Sequence, residues 1–207
     1  MNLLSFNIAD LFKGLFASMP KTIEVHASIP LQPAAKPQPK AYAHTYMSIA
    51  LSEIGTKEGA GILNNPEVVQ MFADCGHPEI RNDATPWCAA FVGSCLHRAG
   101  LPGSGSLAAR SYEHYGQRLS QPAYGAIGVK KRLVNGKDVG SGHVFFIVAA
   151  DNTFVYALGG NQSDQVCVEK IRHSEIIAYR LPNGIDVKSL PPLPPSYIAA
   201  APAGSEA

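Results

Sequence analysis

Apolar residues change their spacing once along this chain, between Gln117 and Gly125, and that change limits the folds open to it. Before it, they recur at helical intervals. Met47, Ala50, Leu51 and Ile54 mark one face of a helix that should stop near Gly55. Pro66 is placed to open a second helix, with Val68, Val69 and Phe72 inward and Gly76 beyond its end. A third is expected from Trp87 to Arg98, ending at Gly100, and a fourth from Leu107 to Gln117. After the change come short strand candidates. Gly125–Arg132 is followed by a turn at Val134-Asn-Gly-Lys137. His143–Ala149 and Thr153–Leu158 should form a hairpin about Asp151–Asn152. Gln165–Ile171 and Ile176–Leu181 complete an expected antiparallel meander. Helices followed by strands imply an α+β fold.

Proline marks the borders of this region. Residues 29–39 read as an extended Pro-rich linker, and the stretch from Leu190 onward as a Pro/Ala-rich disordered tail. Three parts are expected: an amphipathic segment with its linker at 1–41, a folded domain at 42–183, and the tail at 184–207. Within residues 1–19, Leu4, Ile8, Leu11, Phe12, Leu15 and Phe16 recur at helical spacing. No positive charge precedes Lys13 and Asp10 interrupts the apolar run, which argues against an ordinary secretory signal. A docking or membrane-surface helix is one reading, and a helix packed on the domain is the other.

Composition excludes some classes of function. Seventeen Lys and Arg against 16 Asp and Glu leave a net charge of +1, which gives no basis for a nucleic-acid partner. The four cysteines, Cys75, Cys88, Cys95 and Cys167, form no C-x-x-C pair, so neither a zinc knuckle nor a thioredoxin-like motif is expected. No metal and no cofactor is expected. Cys88 and Cys95, on one helix, would stand ~10 Å apart, too far for a disulfide. Cys75–Cys95 and Cys75–Cys167 pairs stay open beside the preferred reading of free thiols.

Three segments can carry chemistry. In Asp83-Ala-Thr-Pro-Trp-Cys88-Ala-Ala-Phe-Val, Cys88 falls in the first turn of the third helix, where unpaired N–H groups favour a thiolate and lower its pKa. Cys88 also shares a helix face with Phe91, Val92, Cys95 and Leu96, which is a core setting, so this segment alone does not decide. In Gly140-Ser-Gly-His143-Val-Phe-Phe, a histidine opens an apolar strand and could act as base for the thiol. Gly159-Gly-Asn161-Gln-Ser-Asp164 ends the next strand, so antiparallel pairing brings it to His143. Asn161 is the expected orienting residue, with Gln162 and Asp164 as alternates, because a one-residue change of register would exchange them. Trp87 and Gln162 are expected to bind substrate. The other six histidines read as surface residues.

Taken in order, Trp87-Cys88-Ala-Ala-Phe-Val, Gly142-His143-Val and Leu158-Gly-Gly-Asn161-Gln resemble the papain-like bacterial cell-wall hydrolases. That superfamily includes the CHAP and NlpC-type cysteine amidohydrolases and peptidases. The nearest likeness is to a phage- and secretion-associated branch, over about residues 45–182. The resemblance implies cleavage of amide bonds in peptidoglycan, in the periplasm or cell wall, through a Cys88–His143–Asn161 triad without metal. It also implies peptidoglycan peptide as partner, with secretion or phage machinery, or an inhibitor (immunity) protein, as further candidates. Asn64-Asn65-Pro66 and Asp83 match the branch without a chemical role. Pro122-Ala-Tyr-Gly125-Ala126 departs from it in lacking an acid after the glycine. An acyltransferase or transglutaminase on the same triad, and a non-catalytic wall-binding module, are the alternatives.

Overall fold

The computed structural model describes residues 39–198. The expectations for residues 1–38 and for the end of the tail lie outside the described residues. α1 (Pro39–Ser52) buries Tyr46, Met47 and Ala50. It ends before Ile54, which is exposed although it was expected inward. Gly55, at φ +94°, then turns the chain, and its N–H donates to the Val166 carbonyl at 2.9 Å. α2 (Pro66–Asp74) begins with Pro66 in its first turn, and Asn65 accepts the Glu67 N–H at 2.8 Å. Val68, Met71 and Phe72 face inward, while Val69 is half-buried.

α3 (Cys88–Arg98) is buried on all sides from Cys88 to Leu96, as expected for a helix apolar around its circumference. Its neighbours come very close. A Cβ added at Gly93 would lie 2.5 Å from Cys75 Sγ. The helix ends are joined by Asp74, which accepts from Ser94 Oγ at 2.6 Å and Arg98 Nε at 2.7 Å, while Arg98 also bonds Glu53. All four cysteines are free. No helix among the described residues is long and apolar enough to cross a membrane.

The fourth helix is not α. Ala109–His114 is a 3-10 helix. Gly116, at φ +52°, turns the chain against the Leu181 carbonyl, so that β1 (Gln117–Leu119) joins the sheet where helix was expected. The remaining strands are β2 (Ile127–Val134), β3 (Lys137–Ala150), β4 (Phe154–Gln162), β5 (Gln165–Arg172) and β6 (Ile176–Leu181). Asn135 and Gly136, both at positive φ, make the tight β2–β3 turn. The six-stranded sheet is antiparallel in the order β1-β6-β2-β3-β4-β5.

That order corrects the simple meander. β6 lies beside β2, not β5. Only His173–Glu175 connect β5 to β6, a link that reaches about 14 Å at full extension. The sheet must therefore curl until β5 approaches β6. Phe145, Ile147, Val155, Ala157 and Ile171 fill one face, and the helices cover the other through Val129, Val144, Phe146 and Leu158. His173 belongs to this link: one ring nitrogen meets the Tyr179 hydroxyl and the other the Asp151 carbonyl, so it is not a surface residue. The folded region also runs past 183. Ile185 is buried, Ala150 N–H donates to the Pro194 carbonyl at 2.9 Å, and Leu190, Leu193 and Tyr197 pack on the two clusters. The tail expected to be disordered is thus bound to the domain as far as it is described.

Asp83 has a structural task. Its Oδ2 accepts the Gly59 N–H at 2.6 Å and the Asn65 N–H at 2.7 Å, and Asn64 Oδ1 accepts the Asp83 N–H at 3.2 Å. Trp87 Nε1 donates to Glu58 at 2.7 Å. The loop at 57–65 is thereby fixed to the approach of α3. Bonds to a charged acceptor each contribute ~1.5–3 kcal/mol, so Asp83→Ala should cost about 2–4 kcal/mol in urea denaturation. Asp83→Asn keeps an acceptor oxygen and should cost clearly less.

Candidate active site

β3 and β4 part at the level of the site. Their last registered pair at this end is Phe146–Leu158. Ile147 exchanges hydrogen bonds with the β2 side of the sheet, so the residues alternating with it, Phe146 and Val144, turn their N–H groups toward β4. Val144 has no registered partner there, and its N–H is one of the groups that favour the Cys88 thiolate. Cys88 reaches this opening because α3 lies hard against β4: a Cβ added at Gly160 would fall 2.5 Å from the Trp87 ring and 2.6 Å from Phe91 Cβ. No side chain caps α3, and the N–H groups of Cys88 and Ala89 also act on the sulfur.

His143 pairs with Lys130 of β2 and lies within β3 rather than at its start, since the strand begins at Lys137. Its ring packs beside Phe145, centroids 5.6 Å apart. Its hydrogen-bond partner is Gln162, not Asn161. His143 Nε2 and Gln162 Oε1 are 2.8 Å apart. The Gln162 amide is oriented independently, because its Nε2 donates to the carbonyls of Cys167 at 2.7 Å and Ala157 at 3.2 Å. Oε1 can only accept, so the proton between them is on His143 Nε2, and the lone pair of the neutral ring is on Nδ1. Nδ1 has no protein hydrogen bond among the described residues.

Asn161 loses the orienting role to its neighbour because β4 is irregular between Gly159 and Gln162. Asn161 has φ +55°, and the following Ser163–Asp164 turn is also left-handed. This twist carries Gln162 back over Gly159, where a Cβ would lie 2.5 Å from Gln162 Oε1 and 3.1 Å from His143 Nε2. Asn161 instead borders the cavities on both sides of His143. Asp164 is turned away into the tight turn, its carbonyl accepting the Glu58 N–H. Trp87 is fully buried and borders neither cavity, whereas Gln162, 3% exposed, borders the one beyond His143. Trp87 positions Cys88, and Gln162 positions His143.

Cys88 and His143 border one cavity of about 450 Å³. A second, of about 510 Å³, opens beyond His143 at the mouth of the curled sheet. Burial pushes the Cys88 thiol above its ordinary range, against the N–H groups of Val144, Ala89 and Cys88 and the Arg132 charge. The helix terminus alone predicts a lowered thiol, and desolvation reverses that expectation. Burial likewise pushes His143 down to about 4, aided by Lys130 and Arg132 and opposed by Gln162. Both groups on the cavity rest neutral, one as a thiol and the other as an imidazole. Among the described residues no three His, Cys, Asp or Glu side chains converge as metal ligands.

No protein-family model and no curated protein matches the sequence.

Two pH effects follow. The unfolded chain protonates His143 near 6.5 and the folded chain only near 4, so stability should fall as pH drops through that window. Iodoacetamide labelling of Cys88, read by peptide mapping, should climb continuously into the alkaline range. A plateau between about pH 4 and 8 would instead mean a resting thiolate–imidazolium pair.

Proposed function

We propose that this protein is a cysteine-dependent amide hydrolase on a papain-like scaffold, acting on bacterial cell-wall peptides. The observation that carries the chemistry is the pairing of two fixed groups on one cavity. The Cys88 sulfur is held at an uncapped helix terminus, and His143 is held by Gln162 so that its Nδ1 lone pair is free. The cell-wall substrate rests on the resemblance of the three motifs around Cys88, His143 and Asn161. On this reading the enzyme works in the periplasm or wall, with peptidoglycan peptide as its partner.

The chemistry runs in two stages. Cys88 loses its proton to His143 Nδ1 as the sulfur attacks the substrate carbonyl, and the imidazolium that forms is steadied by Gln162 Oε1. His143 then protonates the departing amine, leaving a thioester. Water, deprotonated by the same imidazole, releases the acid. The uncapped N–H groups at the start of α3 are the donors assigned to the oxyanion, each such donor being worth ~3–4 kcal/mol. Gln162 acts through His143 only.

Purified protein incubated with peptidoglycan fragments should release new amine and carboxyl termini, identified by mass spectrometry. Cys88→Ala should abolish release, and His143→Ala should reduce it about 10²–10⁴-fold. Gln162→Ala, and Gly159→Ala which displaces the same amide, should lower kcat about tenfold or more with little change in KM. Full turnover in Cys88→Ala would end the proposal. Transfer of the acyl group to an added amine in place of water would make the enzyme an acyltransferase.

A further inference from the structure

Four residues border both cavities: Arg132, Gly142, His143 and Asn161. The two cavities therefore form one groove that passes over the imidazole, with Cys88 in one half and the mouth of the curled sheet in the other. Arg132 is the cation at the junction. It is brought there by an irregularity in β2, where the register with β3 shifts between Lys131 and Leu133. A bulge of this kind re-aims a side chain.

Two other basic groups of the groove are paired with acids, and a third, Lys131, is exposed in the half away from Cys88. Arg110, in the Cys88 half, is paired with Glu113 at 2.8 Å and with Asp138 at 3.1 Å. Lys130, in the other half, lies 3.5 Å from Glu175. Arg132 makes no hydrogen bond or ion pair to protein among the described residues, and it is exposed. Its charge reaches both Cys88 and His143. The acids of the groove, Glu169 and Glu175, border the half away from Cys88. Among the described residues Arg132 is the one cation that borders both halves, so an anionic group held where the halves meet lies against it. A planar guanidinium with free donors matches a carboxylate with two oxygens.

The geometry points to Arg132 as the residue that selects substrate, by binding a free carboxylate on the peptide beside the amide that Cys88 attacks. This rests on the hydrolase reading above and adds its substrate class: acidic peptides, not neutral ones. Asn161, whose side chain has no protein hydrogen bond among the described residues, is placed to hold the peptide backbone next to that carboxylate.

The test uses soluble wall peptides before and after their carboxyl groups are converted to amides with carbodiimide and ammonia. Wild-type kcat/KM should fall roughly 10- to 100-fold on amidation, the ratio expected for loss of a charge-assisted pair. Arg132→Gln should lower turnover of the acidic peptides toward that of the amidated ones, and Arg132→Lys should restore part of the preference. Equal turnover of both pools by the wild type, or an equal loss on both in Arg132→Gln, overturns the proposal. Binding of the two pools to Cys88→Ala separates this outcome from failure of the hydrolase reading. Preference for the acidic pool without turnover by the wild type leaves the anchor standing and removes the hydrolase, whereas equal binding removes the anchor.

Discussion

Where β3 and β4 part, Val144 loses its partner strand and its N–H favours the Cys88 thiolate instead, and the arrangement of the site follows from that opening. Two adjacent glycines make it usable. Gly160 empties the face toward the helices, so that Trp87 and Phe91 press against the backbone and α3 delivers its first residue to the gap. Gly159 empties the opposite face, and Gln162 fills the space beneath the imidazole. Successive residues of a strand serve opposite faces of a sheet, and here each of two neighbours contributes by having no side chain. A methyl group on one would push away the helix, and on the other the histidine's partner.

The electrostatic character of the site follows from the same close packing. A helix terminus and three N–H groups favour a thiolate, yet little solvent reaches the sulfur, and the desolvation penalty is the larger effect. The imidazole answers to the same penalty in the opposite direction. Both groups rest uncharged near neutral pH. The buried Gln162 amide suits this scheme. It fixes the tautomer without bringing a second ionised group into a poorly hydrated place.

Much of this was legible in the order of residues. The helices at Pro66 and Cys88 announce themselves by a proline and apolar spacing, and the Asn135-Gly136 turn by its dipeptide. Cys88, His143 and the Gly159–Asp164 stretch stood out as candidates by local setting, and the resemblance carried by the three motifs in order is what joined them. What escaped was decided by long-range contacts. The choice between Asn161 and Gln162 turns on left-handed backbone at Asn161, which asparagine tolerates and no periodicity reveals. Leu107–Gln117 has helical spacing, but Gly116 and the waiting edge of β6 divert its end into a strand. Residues 184–198 have the composition of a free tail, and only the fold supplies the apolar clusters and the Ala150 N–H that bind them. Arg132 carried no signal, because a bulge is a property of two strands together.

The strand order has a consequence for how such a chain is made. β6 is the last strand in sequence but sits between β1 and β2. While the chain emerges from the ribosome, β1 has no partner and β2 has one bare edge until residues 176–181 appear. Cys88, His143 and Gln162 are synthesised before that point, on a sheet still missing an interior member. Closure of so non-local a pairing is the slow kind of folding step. The sheet can therefore be completed only after translation has passed residues 176–181.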